Sequence, residues 1–154
     1  MILNAIAVCR RPSDQILNLL NEYIKRLPRD FSLKFSYLPP SANNHNSNLR
    51  RAEEGARILK RIPKNSYMIS LDSKGKDMSS ALLAKRFGFL RDKQKKITLV
   101  IGGADGLDES VSTKSDECWS LSHLTFPHRF VQIILAEQVY RAWSILEGLP
   151  YHRA

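Results

Sequence analysis

The chain reads as an α/β domain with a largely parallel sheet covered by helices. Two observations carry this reading. Short apolar runs at 2–8 (ILNAIAV), 66–72 (SYMISLD) and 96–103 (KITLVIGG) have the length and composition of buried strands. Between them lie segments whose apolar residues recur at helical spacing, and strands that alternate with helices build parallel, covered sheets.

Taken in order, 2–8 is the first strand. Ser13 then caps a helix whose apolar positions are Ile16, Leu17, Leu20, Tyr23, Ile24 and Leu27, ended by Pro28. Residues 31–38 alternate Phe31, Leu33, Phe35 and Tyr37 with Ser32, Lys34 and Ser36, the pattern of a half-buried strand. An Asn- and Pro-rich loop is expected over 39–48, then a basic helix over 49–62 stopped by Pro63. The strand at 66–72 is followed by SKGK (73–76), read as a turn, and by a helix over 79–94 with Gly88 as its weak point. The strand at 96–103 empties into ADGLDES. A fifth strand is expected over 118–124 and a closing helix over 127–147.

At 154 residues the chain fits a single domain over 1–154, large enough to bury a core without staples. Its 24 Lys+Arg against 15 Asp+Glu leave a net charge of +9, which points to a polyanionic partner, most often nucleic acid. Cys9 and Cys118 lack C-x-x-C spacing and suit small buried apolar roles in a reducing, cytoplasmic setting. The start, MILNAIAVCRR, is apolar first and basic second, the reverse of a secretory leader. No apolar run approaches the roughly 20 residues that a membrane span needs, so no membrane partner is expected.

Three of the seven glycines sit in GGADG (102–106), directly after a strand. Ligands of open parallel sheets bind beyond the carboxyl ends of strands, where glycine lets backbone approach them closely. A tight strand-to-helix turn would use the same residues. Neither G-x-G-x-x-G nor G-x-x-x-x-G-K-[ST] is satisfied, and G-x-S-x-G is absent, which sets aside ordinary dinucleotide, P-loop and serine-hydrolase readings. His123 and His128 are five apart around a proline, and H-E-x-x-H is missing, so no metal is expected. Twelve of the eighteen residues from 130 to 147 are apolar, more than one stripe requires. That helix needs cover on more than one side, its own sheet on one and a second subunit on the other. Glu137 and Arg141 form an i,i+4 pair, either a surface ion pair or a functional one.

Four stretches, IGGADGL (101–107), LSHLTFPH (121–128), EQVYRAWSI (137–145) and PYHR (150–153), together closely resemble the RlmH family, bacterial ribosomal-RNA methyltransferases of the SPOUT superfamily. The resemblance extends over essentially the whole chain. It implies S-adenosyl-L-methionine as cofactor and methylation of N3 of a pseudouridine in 23S rRNA of the assembled ribosome. It also implies a homodimer and a SPOUT-type trefoil-knotted parallel-sheet fold. Chain-connection rules argue against knots, so that expectation rests on the resemblance alone.

Carried over by position, the resemblance assigns cofactor binding to Leu71, Gly102, Gly103, Ser122, His123, Leu124, Thr125, Phe126 and Pro127. Such a loop must be apolar yet rich in available backbone groups to read an adenine. It places His128, Tyr151, His152 and Arg153 at the catalytic centre, the last three approaching the site of the partner subunit. The imide proton at N3 must also leave, and His128, His152 and Arg153 are the candidates to accept it or to stabilise the anion. Family members commonly carry an arginine where this chain has Gln132, and Arg129 can supply a similar charge from another direction. Two rival readings use the same basic surface: a non-catalytic RNA-binding or ribosome-assembly protein, and a SPOUT methyltransferase acting on tRNA.

Overall fold

The computed structural model describes residues 1–43 and 45–153. Strands β1 (Ile2–Val8), β2 (Ser32–Leu38), β3 (Ser66–Asp77), β4 (Lys96–Ile101) and β5 (Glu117–Ser120) form one sheet in the order β2-β1-β4-β3-β5. Every pairing is parallel. The helices are α1 (Asp14–Ile24), α2 (Ser47–Arg61), α3 (Ser80–Asp92), α4 (Glu109–Lys114) and α5 (His128–Leu146).

The alternation of side chains along each strand sorts the core into two layers. Leu3, Ala5 and Ala7 of β1, Ile97, Leu99 and Ile101 of β4, and Ile69 and Leu71 of β3 face one way. They pack with Leu20 of α1, Leu83 and Phe87 of α3, and Leu135 and Val139 of α5. Val8, Met68 and Val100 face the other way, onto Ile58 of α2 and Val111 of α4. Both faces are therefore covered, as the apolar runs require. α5 lies between α1 and α3 on the first face.

The helix starts follow their capping residues. Asn46 accepts the Asn48 and Leu49 N–H groups at 2.9 and 3.1 Å, so α2 begins two residues earlier than its apolar pattern. Ser79 accepts the Leu82 N–H at 3.2 Å and opens α3. Ser13 precedes α1 as expected, although its side chain makes no cap bond. α5 ends in a Schellman turn: Gly148 has φ +66°, its N–H bonds the Ile145 carbonyl at 3.2 Å, and the Leu149 N–H bonds the Ser144 carbonyl at 2.8 Å.

β4 stops at Ile101, short of the two glycines, and α1 at Ile24, before Leu27 and Pro28; three further expectations change. SKGK is not a turn: β3 runs on to Asp77 through a bulge, with Leu71 and Lys76 both opposite Trp119. Gly75 makes this possible, since a Cβ there would stand 2.6 Å from the Trp119 carbonyl carbon. The fifth strand stops at Ser120 rather than reaching 124, because serines divert the chain from the ladder. The Ser120 hydroxyl donates to the Ser122 carbonyl at 3.2 Å, and the Ser122 hydroxyl accepts the Leu124 N–H at 3.0 Å. The third change is α4, which the apolar pattern does not announce; it is six residues capped by Asp108, too short to show a period. The loop expected over 39–48 and the chain end include Asn44 and Ala154, which lie outside the described residues.

Candidate active site

A cleft of about 290 Å³ opens where β4 ends and its pairing with β3 stops, at Leu71 and Ile101, on the carboxyl side at which open parallel sheets bind ligands. Its floor is Leu71 and Ile101, the last apolar residues of the two strands. One wall is the glycine turn, Gly102, Gly103, Ala104, Gly106 and Leu107. The opposite wall is the loop after β5, with Leu121, Ser122, Leu124, Thr125 and Phe126, and the back is His128, Val131 and Ile134 of α5. Asp72 and Ser73 join the rim because the β3 bulge swings them there.

The turn is built for backbone rather than side chains. A Cβ on Gly102 would lie 2.7 Å from the Gly106 carbonyl carbon, and one on Gly103 would lie 2.5 Å from Glu54 Oε2. Gly106 has φ +83°, a conformation that glycine adopts without cost. The Gly106 N–H bonds the Gly103 carbonyl at 3.0 Å and closes the turn. Behind it stands Glu54, only 4% exposed, whose Oε1 accepts the Ser41 N–H at 2.8 Å. From the outside, Arg50 forms an ion pair with Asp105, and Arg51 reaches the Asp105 carbonyl at 3.5 Å. The basic helix α2 thus braces the turn from its first residues onward.

His128 begins α5 at the back of the cleft. Burial pushes its pKa below the ordinary 6.5, against the opposing pull of the Val8 backbone and the Glu54 carboxylate. Its Nε2 is buried and has no hydrogen-bond partner among the described residues. Burial thus favours the neutral form of the ring. Gln132, one turn on, is fully buried; its Nε2 donates to Cys9 Sγ at 3.3 Å, while its Oε1 is unpartnered. A neutral amide suits that closed position, whereas Arg129 is exposed and carries its charge toward solvent. Arg10 and Arg11 are also exposed where β1 ends, on the Gly103 side of the cleft. Among the described residues, none of these three arginines has an acidic partner.

Of the nine residues expected to hold a cofactor, Leu71, Gly102, Gly103, Ser122, Leu124, Thr125 and Phe126 line the cleft. His123 does not. Its ring is largely exposed and bonds Asp77 at 2.9 Å, on a neighbouring surface depression. Pro127 does not line the cleft either; it is the N-cap residue of α5. The sequence missed Glu54, Asp72, Ser73 and the α5 residues Val131 and Ile134, because an acidic residue in a basic helix and apolar residues in a core helix carry no local signal.

The four residues expected at the catalytic centre are not brought together within one chain. Only His128 reaches the cleft. Tyr151 lies against the third turn of α5, its ring edge-on to Tyr140 with centroids 4.7 Å apart and its hydroxyl donating to Glu137 Oε1 at 3.1 Å. His152 Nδ1 is 3.4 Å from Arg141 Nη1, and Arg153 is exposed. Glu137 is nine residues beyond His128, about 14 Å along the helix axis. A chain cannot place its own tail in its own cleft in this arrangement. No group of three metal-ligating side chains occurs among the described residues, and none of their helices is long and apolar enough to cross a membrane.

Comparison with known proteins agrees with this geometry. The family model described as predicted SPOUT methyltransferase matches residues 1–152. A ribosomal RNA large subunit methyltransferase H of Thioalkalivibrio sulfidiphilus is 42% identical over 99% of each chain. The protein of that name from Polynucleobacter asymbioticus is 40% identical, again over 99% of each chain. The one from Methylococcus capsulatus is 38% identical over 99% of this chain and 100% of its own length.

Proposed function

The chain belongs to the SPOUT methyltransferase family, and from that premise we propose that it methylates N3 of a pseudouridine in 23S rRNA of the assembled ribosome. The observation that carries the reading is the cleft at the ends of β3 and β4, with a glycine turn on one side and the loop 121–126 on the other. Relatives that carry the name of an rRNA large subunit methyltransferase match essentially end to end.

S-adenosyl-L-methionine supplies an activated methyl group when bound. The residues present fit it: Gly102 and Gly103 leave space that a Cβ would fill, and Leu71, Leu124 and Phe126 offer apolar contact to an adenine. Thr125 brings a hydroxyl for its polar edge, and the Ser122 hydroxyl, which accepts the Leu124 N–H, keeps its own proton to donate. Catalysis by this chain is then largely alignment of the two reacting atoms. His128 lines the back of the cleft and is this subunit's candidate to take a hydrogen bond or a proton there.

Tyr151, His152 and Arg153 enter the site from a second copy of the chain, which makes the working enzyme a homodimer in the cytoplasm, where ribosomes are. In that state the N3 proton has two candidate acceptors, His128 of one subunit and His152 of the other, while Arg153 can only donate to and stabilise the anion. The trefoil knot of the family belongs to the same reading. The test is calorimetric titration with S-adenosylmethionine and S-adenosylhomocysteine, followed by transfer of labelled methyl to ribosomes that lack the modification. Binding in micromolar range and label at a single 23S pseudouridine are expected. Absence of both overturns the reading, and label on tRNA alone redirects it to another acceptor.

A further inference from the structure

We propose that Glu137 and Arg141 are positioning residues that fix the direction of the chain's last residues, so that Arg153 is presented outward to a second subunit. The inference rests on the reading above that the tail acts in the partner's cleft. The bland alternative is an i,i+4 surface ion pair of little consequence. Its geometry is wrong for that. The Glu137 and Arg141 side chains are only 17% and 25% exposed. Glu137 Oε1 accepts three donors: Arg141 Nε at 2.9 Å, Arg141 Nη2, and the Tyr151 hydroxyl at 3.1 Å. Glu137 Oε2 accepts Gln138 Nε2 at 2.7 Å, and Gln138 Oε1 accepts the Ser80 hydroxyl at 2.8 Å. A chain of bonds therefore runs from the start of α3 to the tail.

Arg141 also covers Tyr151 face-on, with its guanidinium carbon 4.8 Å from the ring centroid, while Tyr140 meets the ring edge-on. The turn at Gly148 folds the chain back along α5 and sets the starting direction. Tyr151 is held by three neighbours, and two residues later Arg153 is exposed. None of this is needed to seat α5, whose Leu135, Ala136, Val139 and Ala142 are buried in the core. The network serves the tail.

The experiment compares parental protein with Glu137→Ala, Arg141→Ala, Glu137→Gln, Tyr151→Phe and a chain lacking residues 151–154, all assayed on ribosomes. Arg141→Ala and Glu137→Ala should each lower kcat at least tenfold, with the S-adenosylmethionine Kd within about twofold of parental and the dimer mass unchanged. Glu137→Gln, which still accepts the Tyr151 hydroxyl, should recover most of the loss. Adding Tyr151→Phe to Arg141→Ala should cost little more than Arg141→Ala alone, because both act through one clamp. If kcat is parental in both alanine variants while the truncated chain is inactive, the positioning role is wrong. Loss of dimerisation or cofactor binding alongside kcat makes the pair merely structural and also overturns it. If the truncated chain itself methylates at the parental rate, the reading of the tail fails and the positioning role fails with it.

Discussion

Gly103 stands between the cleft and a buried carboxylate, and that position decides what a single methyl group does there. A Cβ would meet Glu54 Oε2 at 2.5 Å and Val8 Cγ1 at 3.3 Å. Glu54 is tied to the Ser41 N–H and cannot swing away freely. Gly103→Ala should therefore destabilise the fold by about 1–3 kcal/mol and weaken S-adenosylmethionine binding at least tenfold, read by urea unfolding and calorimetry. A variant with parental affinity would show that the turn is a connector only. His128 offers a second residue-scale test. Its pKa is lowered by burial, so below the ordinary 6.5 the folded state binds fewer protons than the unfolded one. Stability should fall as pH drops from about 6.5 through the lowered value, and His128→Asn should flatten that slope. Urea midpoints at about pH 5 and about pH 7 check this; equal slopes in the two proteins would contradict it. The seven cleft residues were assigned by resemblance; local signal marked only the glycines after a strand and an unusually apolar loop with hydroxyls, and nothing local marked Leu71. His123 was not separable from Ser122 and Leu124, since the direction of a loop side chain depends on Asp77, which sits 46 residues away.

The elements that positioned the cleft were legible where their signals were long. β1 is bounded as the apolar run drew it, and α2, α3 and α5 shift by at most two residues at either end. Errors gathered where tertiary contacts override a local cue. A glycine among polar residues reads as a turn, yet Gly75 lies flat on the backbone of Cys118 and Trp119 and carries β3 past its bulge. That bulge puts Asp72 and Ser73 at the rim, so the misread segment is part of the candidate site. Gly75→Ala would press a Cβ to 2.6 Å from the Trp119 carbonyl carbon, where backbone has little freedom to yield. It should cost about 3 kcal/mol, at the upper end of ordinary overpacking, and should reduce cofactor binding along with stability. A denaturation midpoint unchanged from parental would mean that β5 moves easily and that the bulge is not a rigid support.

At the scale of the molecule, the net charge of +9 includes three exposed arginines that have no acidic partner among the described residues. Arg10 and Arg11 follow β1, Arg129 lies in the first turn of α5, and all three are exposed. Arg50 is different, because its charge is spent on Asp105 in the glycine turn. The half-buried face of α5, with Phe130 exposed and Ile133 and Ile134 partly so, is where a second copy would pack. Light scattering at micromolar concentration should give twice 17.6 kDa; a monomer mass throughout would remove the partner from the proposed site. Arginines that neutralise phosphates release counterions, so log K for ribosome binding should fall steeply and linearly with log salt. Replacing Arg10, Arg11 and Arg129 by Ala should lower the slope by about one for each arginine removed, roughly three in all. S-adenosylmethionine affinity should stay near parental, because none of the three lines the cleft. A triple variant that keeps the full slope would place the RNA-binding surface elsewhere, on the lysines and arginines of α2 and α3.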